Sequence, residues 1–178
     1  MKKKVLAIVL CVAIVACGAI AGTLAYLNVK TDTVKNTFTA GNVKIDLAET
    51  TGTEYKMIPG YEITKDPTVT VEKGSEKCYL FVKLDESSDF ATYLEYTVNS
   101  SWTKLDGETN VYYQVVESNT TADQTFAVLS GNKVTVKDDV NFTGSEAPTL
   151  SVTAYASQYN KNNTTAFTAA EAWANVTK

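Results

Sequence analysis

Clustered carboxylates are the side chains in this sequence that could bind a metal ion. Asp85, Glu86 and Asp89 lie within five residues of one another, and Asp138 is followed directly by Asp139. Carboxylate oxygens are ligands that Ca²⁺ prefers, but neither spacing is that of an EF-hand loop. Asp85, Glu86 and Asp89 are therefore calcium candidates only. A solvated acidic loop is the simpler interpretation, and the sequence predicts no resident metal and no cofactor.

Aromatic residues could serve a second kind of chemistry, the stacking of sugar rings. Trp102, Tyr112 and Tyr113 are close in sequence, and rings exposed side by side on a sheet would form a carbohydrate platform. Aromatic residues in strands also pack in cores and pair across strands. The sequence is compatible with both interpretations, so a carbohydrate-binding module is one function to be considered.

Catalytic signatures are missing from the sequence. The chain contains no histidine, which excludes Ser–His and Cys–His couples and an HExxH zinc helix. It also lacks a GxSxG nucleophile elbow and a glycine-rich phosphate loop. Catalysis by carboxylates alone, as in glycosidases, stays compatible with the sequence. No residue is assigned a catalytic role.

The charge of the chain argues against a nucleic-acid partner. Its 16 basic residues are all lysine, they face 20 acidic residues, and the formal net charge of the 178-residue chain is −4. An acidic protein without arginine lacks the basic surface that would bind the phosphates of a nucleic acid. Such a composition suits a secreted protein.

The N-terminus has the layout of an export signal. Three lysines follow Met1, Val5–Ala21 is an uncharged apolar run, and Thr23 and Ala25 provide small residues before a cleavage site. The sequence therefore predicts a signal peptide over residues 1–25. Cleavage between Ala25 and Tyr26 would make a signal peptidase a partner during export.

Two other interpretations of this segment stay open. Val5–Leu27 carries no charge and is long enough to span a bilayer as an uncleaved anchor. Cys17 lies in a string that loosely fits a lipoprotein processing site. All three interpretations place the residues beyond Leu27 outside the cytoplasm. In the cleaved chain Cys78 is the only cysteine, and it is interpreted as a buried apolar residue.

Alternating apolar residues predict β-strands through most of the remaining chain. Val43–Leu47 alternates apolar residues with Lys44 and Asp46, a period of two that turns one face towards a core. Cys78–Leu84 has apolar residues on both faces, which predicts a central strand or one covered by a helix or loop. Further strands are predicted at Thr68–Val71, Leu94–Val98, Val111–Val116, Phe126–Leu129, Lys133–Val136 and Leu150–Ala156.

Turn residues separate these strands. Ile58-Pro59-Gly60-Tyr61 predicts a type II turn, because proline presets φ at its second position and glycine accepts the positive φ at its third. Asp106-Gly107 predicts a hairpin into the strand that follows it. Gly131-Asn132 predicts another hairpin between its two flanking strands.

The last predicted element is helical. Thr168 and Glu171 have the spacing of a capping box, so a short helix is predicted over Ala169–Val176 with Trp173 as its docking residue. Many closely spaced strands followed by one helix predict an all-β sandwich over residues 41–178.

Tyr26–Ala40 lies between the predicted cleavage site and the predicted sheet domain. Val34, Thr37 and Phe38 give this segment some apolar surface that could contact a partner. An open sheet has edge strands whose unpaired backbone groups another extended chain can satisfy. The segment is therefore predicted to pair with a sheet edge of the next subunit, and such head-to-tail contacts generate a filament. The alternatives are pairing with its own sheet and disorder.

Five strings of the chain are informative together: Gly22–Tyr26, Thr31–Leu47, Met57–Gly74, Cys78–Lys83, and Ala154–Ala156 before an Ala/Trp helix. These strings resemble the TasA/camelysin family. The resemblance implies an exported protein of Gram-positive bacteria that is processed by a SipW-type signal peptidase. It implies a jelly-roll-like antiparallel β-sandwich with a short C-terminal helix, preceded by an N-terminal signal segment. The implied role is a biofilm matrix fibre subunit whose partners are further copies of itself and other matrix proteins.

The camelysin name also implies a metalloendopeptidase. This chain has no histidine and no recognisable zinc motif for that activity, and the resemblance transfers no catalytic residue. Three functions are thus considered: a self-assembling secreted matrix protein, a secreted metalloendopeptidase and a cell-surface carbohydrate-binding module.

Overall fold

Three antiparallel β-sheets dominate the computed structural model, which describes residues 41–177 of the chain. These residues belong to one compact unit, Ala40–Lys178. The strands are β1 (Ile45–Ala48), β2 (Glu62–Thr64), β3 (Thr68–Val71), β4 (Cys78–Glu86), β5 (Leu94–Glu95), β6 (Thr103–Lys104), β7 (Val111–Val116), β8 (Gln124–Ala127), β9 (Lys133–Val136) and β10 (Leu150–Gln158). The helices are α1 (Phe90–Tyr93) and α2 (Ala169–Val176), and a 3₁₀ turn covers Ser130–Asn132.

Predictions about the N-terminal region lie outside the described residues. They are the signal peptide, its cleavage between Ala25 and Tyr26, and the assembly segment with Val34, Thr37 and Phe38.

The strand pairing confirms an all-β, antiparallel fold with one short C-terminal helix. The strand orders are β1-β3-β8, β10-β4-β7-β6 and β2-β9-β5, and every pair is antiparallel. The longest ladder joins β10 to β4 from Leu150↔Glu86 to Gln158↔Cys78. Each sheet thus combines strands that are distant in sequence.

The central strand β4 is buried on both faces, as its sequence pattern predicts. One face carries Leu80 and Val82, which lie in the main apolar core with residues from all three sheets. The other face carries Tyr79 and Phe81, which pack in a smaller cluster with Trp173 of α2. Both predicted features are therefore present: β4 is central in its sheet, with a strand on each side, and a helix covers its outer face.

Helix α2 begins with the predicted capping box. The Thr168 hydroxyl accepts a hydrogen bond from the Glu171 backbone N–H at 3.3 Å, and the Glu171 carboxylate accepts one from the Thr168 N–H at 2.9 Å. The side chain of Lys161 pairs with the same carboxylate. Lys161 and then Thr168 lower the pKa of Glu171 to about 2, because their hydrogen bonds favour the charged form.

Two predicted turns are confirmed. The Tyr61 N–H donates to the Ile58 carbonyl at 3.1 Å, and Gly60 has the positive φ of 76° that a type II turn needs. Asp106-Gly107 lies in the connection between β6 and β7, and these two strands pair antiparallel as a hairpin turn requires. This connection is longer than a two-residue hairpin loop, since it runs from Leu105 to Asn110.

The predicted hairpin at Gly131-Asn132 is wrong. The strand before it, β8, pairs with β3, whereas β9 pairs with β2 and β5 in another sheet. Val128 and Leu129 between them are fully buried, so the chain crosses the core here. Gly131 and Asn132 do have the positive φ values of a turn, 64° and 52°, but this turn connects strands of two different sheets.

Several strand limits also differ from the predictions. The strand predicted at Leu94–Val98 ends at Glu95, and Val98 makes only an isolated bridge with Leu129. The strand predicted at Val43–Leu47 is β1, Ile45–Ala48. The short strands β2 and β6 were not predicted, because three or two residues carry too little periodicity to detect.

Candidate functional site

A groove of about 750 Å³ opens between two strands that lie at sheet edges. One wall is formed by Leu47 and Ala48 of β1, and the other by Leu150–Val152 of β10. Among the described residues, β1 pairs only with β3 and β10 only with β4. Each wall therefore has one side without a strand partner in this part of the chain, and we call this feature the edge groove.

The floor of the edge groove is apolar and continuous with the main core. Phe90 and Leu94 line it and are buried. Met57 and Ile63 also line it, and they are only partly covered while they pack against the same core. A ligand with apolar side chains would remove this exposed surface from water, which is favourable at about 25 cal/mol per Å².

One ion pair lies inside the edge groove. Lys65 Nζ is 2.9 Å from Glu49 Oε1 and 3.0 Å from Glu49 Oε2, and the exposed side-chain fractions are only 12% and 22%. The same ammonium lies 5.6 Å from the centre of the Tyr55 ring. These contacts tie the loop after β1 to the segment between β2 and β3.

Hydrogen-bonded carboxylates fix the two loops that border the edge groove. Asp66 accepts hydrogen bonds from Thr50 and Thr51, and those from Thr50 contribute most to lowering its pKa to about 2. Glu146 accepts hydrogen bonds from the Thr143 hydroxyl and N–H, at 2.6 and 2.8 Å, and the hydroxyl contributes most to lowering its pKa to about 2. Both carboxylates are held in the ionised form.

The three calcium candidates face different partners. Asp85 pairs with Lys83 at 2.8 Å, Glu86 accepts a hydrogen bond from the Tyr96 hydroxyl at 2.5 Å, and Asp89 accepts one from the Ser87 hydroxyl at 2.5 Å. Asp85 and Glu86 are part of β4, so successive side chains point to opposite faces. Residues 41–177 contain no group of three acidic, cysteine or histidine side chains that could hold a metal ion.

The three aromatic residues considered as a sugar platform are also separated. Trp102 is buried in the main core, and its Nε1–H donates to the Ala127 carbonyl at 2.9 Å. Tyr112 packs against that core, whereas Tyr113 packs against the cluster under α2. The platform predicted from Trp102, Tyr112 and Tyr113 is therefore not formed, because two of these residues are adjacent in a strand and the third is internal.

Cys78 has the environment of a structural cysteine. Its side chain is fully buried in the main core, and this burial raises the pKa of its thiol to about 11. A thiol that stays protonated is a poor nucleophile.

The edge groove could not be identified from the sequence. The ion pair within it joins Glu49 and Lys65, which are separated in sequence by a loop and β2. No sequence pattern links these two residues. The available signals were local: Leu47 and Leu150 are apolar residues at the end of one predicted strand and the start of another. Their proximity depends on which strands pair.

Comparison with protein-family models, with curated proteins and with solved structures gives no match. Neither α-helix in residues 41–177 has the length and apolar character that crossing a membrane requires.

Proposed function

We propose that this chain is a secreted structural subunit that assembles into extracellular matrix fibres. The edge groove is the observation that supports this function. It combines two sheet edges with an accessible apolar floor, and an extended segment can bind to such edges by adding a strand. We further propose that the three sheets form a jelly-roll-like β-sandwich, which would be the body of each subunit.

The proposed occupant of the edge groove is Tyr26–Ala40 of another subunit. In an extended chain Val34 and Phe38 lie on the same face, which allows both to contact the apolar floor. Lys30 and Lys35 outnumber Asp32 and leave the segment with a net side-chain charge of +1, while Glu54 and Glu146 lie at the groove. Apolar pattern and charge therefore both favour this pairing.

Processing during export would control when assembly starts. Tyr26 becomes the N-terminal residue only after cleavage of the predicted signal peptide. Before cleavage the segment is tied to the membrane-inserted signal, and it would become free to reach a neighbour outside the cell. The resemblance to the TasA/camelysin family supports the same assignment.

Two variants test this function. A chain that begins at Gly41 lacks the whole segment, and Val34→Pro removes one ladder N–H while it fixes φ. Both should keep the circular dichroism spectrum of the wild-type domain and should form no filaments in electron microscopy. Val34→Ala is the matched control, since it retains the N–H and should still assemble. Normal filaments from the truncated chain would refute strand addition by this segment.

A further inference from the structure

A second cavity, of about 330 Å³, lies where the end of β4, α1, β5 and the β6–β7 connection meet. Phe90 and Leu94, which also line the edge groove, form its buried wall. The rings of Tyr96 and Tyr112 line it and are half-buried. We call this cavity the Tyr96 cleft. Its lining is mainly polar, with Glu86, Glu95, Asn110 and Lys137 beside the two tyrosines, in contrast to the aliphatic walls of the edge groove.

A carboxylate in the Tyr96 cleft is positioned by two neighbours. The Tyr96 hydroxyl donates to Glu86 Oε1 at 2.5 Å, and Asn110 Nδ2 donates to the same oxygen at 3.3 Å. Both hydrogen bonds end on Oε1, which leaves Oε2 able to accept one from a ligand. Burial and the hydrogen bond to Glu86 raise the pKa of Tyr96, so its hydroxyl keeps its proton and remains a donor.

The backbone at Asn110 is held in a conformation that glycine adopts more easily. Its φ is +53°, a property that it shares with Asn132 alone among the non-glycine residues 41–177. Its carbonyl accepts a hydrogen bond from the Leu84 N–H at 3.0 Å, which fixes it against β4. Asparagine tolerates this conformation better than most residues, and here it brings an amide to the cleft.

We infer that the Tyr96 cleft binds a neutral pyranose unit of a polysaccharide, and the extracellular location of that polysaccharide rests on the proposed function. Small-ligand sites typically combine an apolar or aromatic surface with a few convergent polar groups, and this cleft has both. The C–H face of a sugar ring can pack on a tyrosine ring, while its hydroxyls can donate to Glu86 and accept from Asn110. This site is separate from the platform expected at Trp102.

The charges in the cleft favour a neutral ligand. Glu86 and Glu95 lie at its lining and would repel a phosphate or an acidic sugar. Lys137 also lines it, and its ammonium donates to the Ala91 carbonyl, so one cation opposes these acids. A hydroxyl-rich ligand can use donors and acceptors together without the desolvation of a net charge.

Isothermal titration calorimetry of the purified protein with hexamers of glucose, mannose and N-acetylglucosamine tests this inference. The first two probes represent neutral secreted polysaccharides, and the third represents wall glycans. We expect at least one hexamer to bind. Glu86→Ala and Asn110→Gly should each weaken that binding by about tenfold, the effect of one lost hydrogen bond.

Asn132→Gly is the matched control. It makes the same change at the other left-handed asparagine, which does not line the cleft, and it should leave the affinity unchanged. The inference is overturned if no hexamer binds, if Glu86→Ala and Asn110→Gly bind as well as wild type, or if Asn132→Gly weakens binding equally. None of these outcomes depends on fibre assembly.

Discussion

The indole ring of Trp173 lies 5.3 Å from the phenyl ring of Phe81, measured between ring centroids. Trp173 also meets Tyr155 edge to face at 5.1 Å. Phe81 is on β4 and Tyr155 is on β10, so one side chain of α2 contacts two neighbouring strands. This contact shields the outer face of the four-stranded sheet from water.

Truncation of this docking residue should destabilise the domain. We expect Trp173→Ala to reduce the free energy of unfolding by about 3–5 kcal/mol, because it leaves a cavity between α2 and the sheet. Urea unfolding followed by circular dichroism measures this loss. Ala174→Ser changes an exposed position of the same helix and should have a much smaller effect. Equal losses in both variants would show that Trp173 does not anchor the helix.

The Glu171 carboxylate should make stability depend on pH. Its pKa is lowered from 4.5 to about 2 in the folded chain, chiefly by Lys161 and then by Thr168. The stabilisation is therefore complete above pH 4.5, the unfolded value, and is lost as the pH falls towards about 2. The unfolding free energies of wild type and Glu171→Gln should differ above this window and converge at its lower end. A difference that stays constant would contradict the assignment.

The ion pair in the edge groove should contribute more than one at the surface. Glu49→Ala leaves the partly buried Lys65 ammonium without its carboxylate, and we expect a loss of about 1–3 kcal/mol. Glu62→Ala breaks the pair with Lys133, whose side chains are 58% and 44% exposed, and should cost at most about 1 kcal/mol. Chemical denaturation of the two variants measures their losses in the free energy of unfolding and shows which loss is larger. The reverse order would mean that Lys65 finds water or another partner.

The Cys78 thiol should resist modification in the folded protein. Burial raises its pKa to about 11 and also blocks the approach of a reagent. Iodoacetamide at pH 8 should leave the peptide that contains Cys78 unmodified in native protein and should alkylate it in urea. Mass spectrometry of that peptide gives the result. Rapid labelling without denaturant would show that the core opens locally at this strand.

Features encoded by neighbouring residues could be predicted from the sequence. The capping box needs only Thr168 and Glu171, three positions apart, and it forms as predicted. The two-sided burial of β4 follows from an unbroken apolar run of Cys78, Tyr79 and the residues after them. In each case the pattern lies within one element, so no knowledge of its partners was required.

Features that depend on distant pairing could not be predicted. Gly131-Asn132 has the chemistry of a hairpin turn, yet Val128 and Leu129 lead the chain through the core to another sheet. The Tyr96 cleft was missed for the same reason, since Glu86 and Asn110 are 24 positions apart. From the sequence, Trp102 is a candidate for a ligand platform. In the structure it is buried, and its indole N–H donates to the Ala127 carbonyl.

The position of β4 between two apolar clusters has a consequence for how the domain opens. Separating either cluster from β4 exposes one whole side of this nine-residue strand. Local opening of β4 therefore has a high free-energy cost. Its amide hydrogens should exchange with deuterated solvent only through global unfolding, whereas those of the exposed two-residue strand β6 should exchange through local opening. The exchange rates of β4 would thus report the free energy of unfolding of the entire domain.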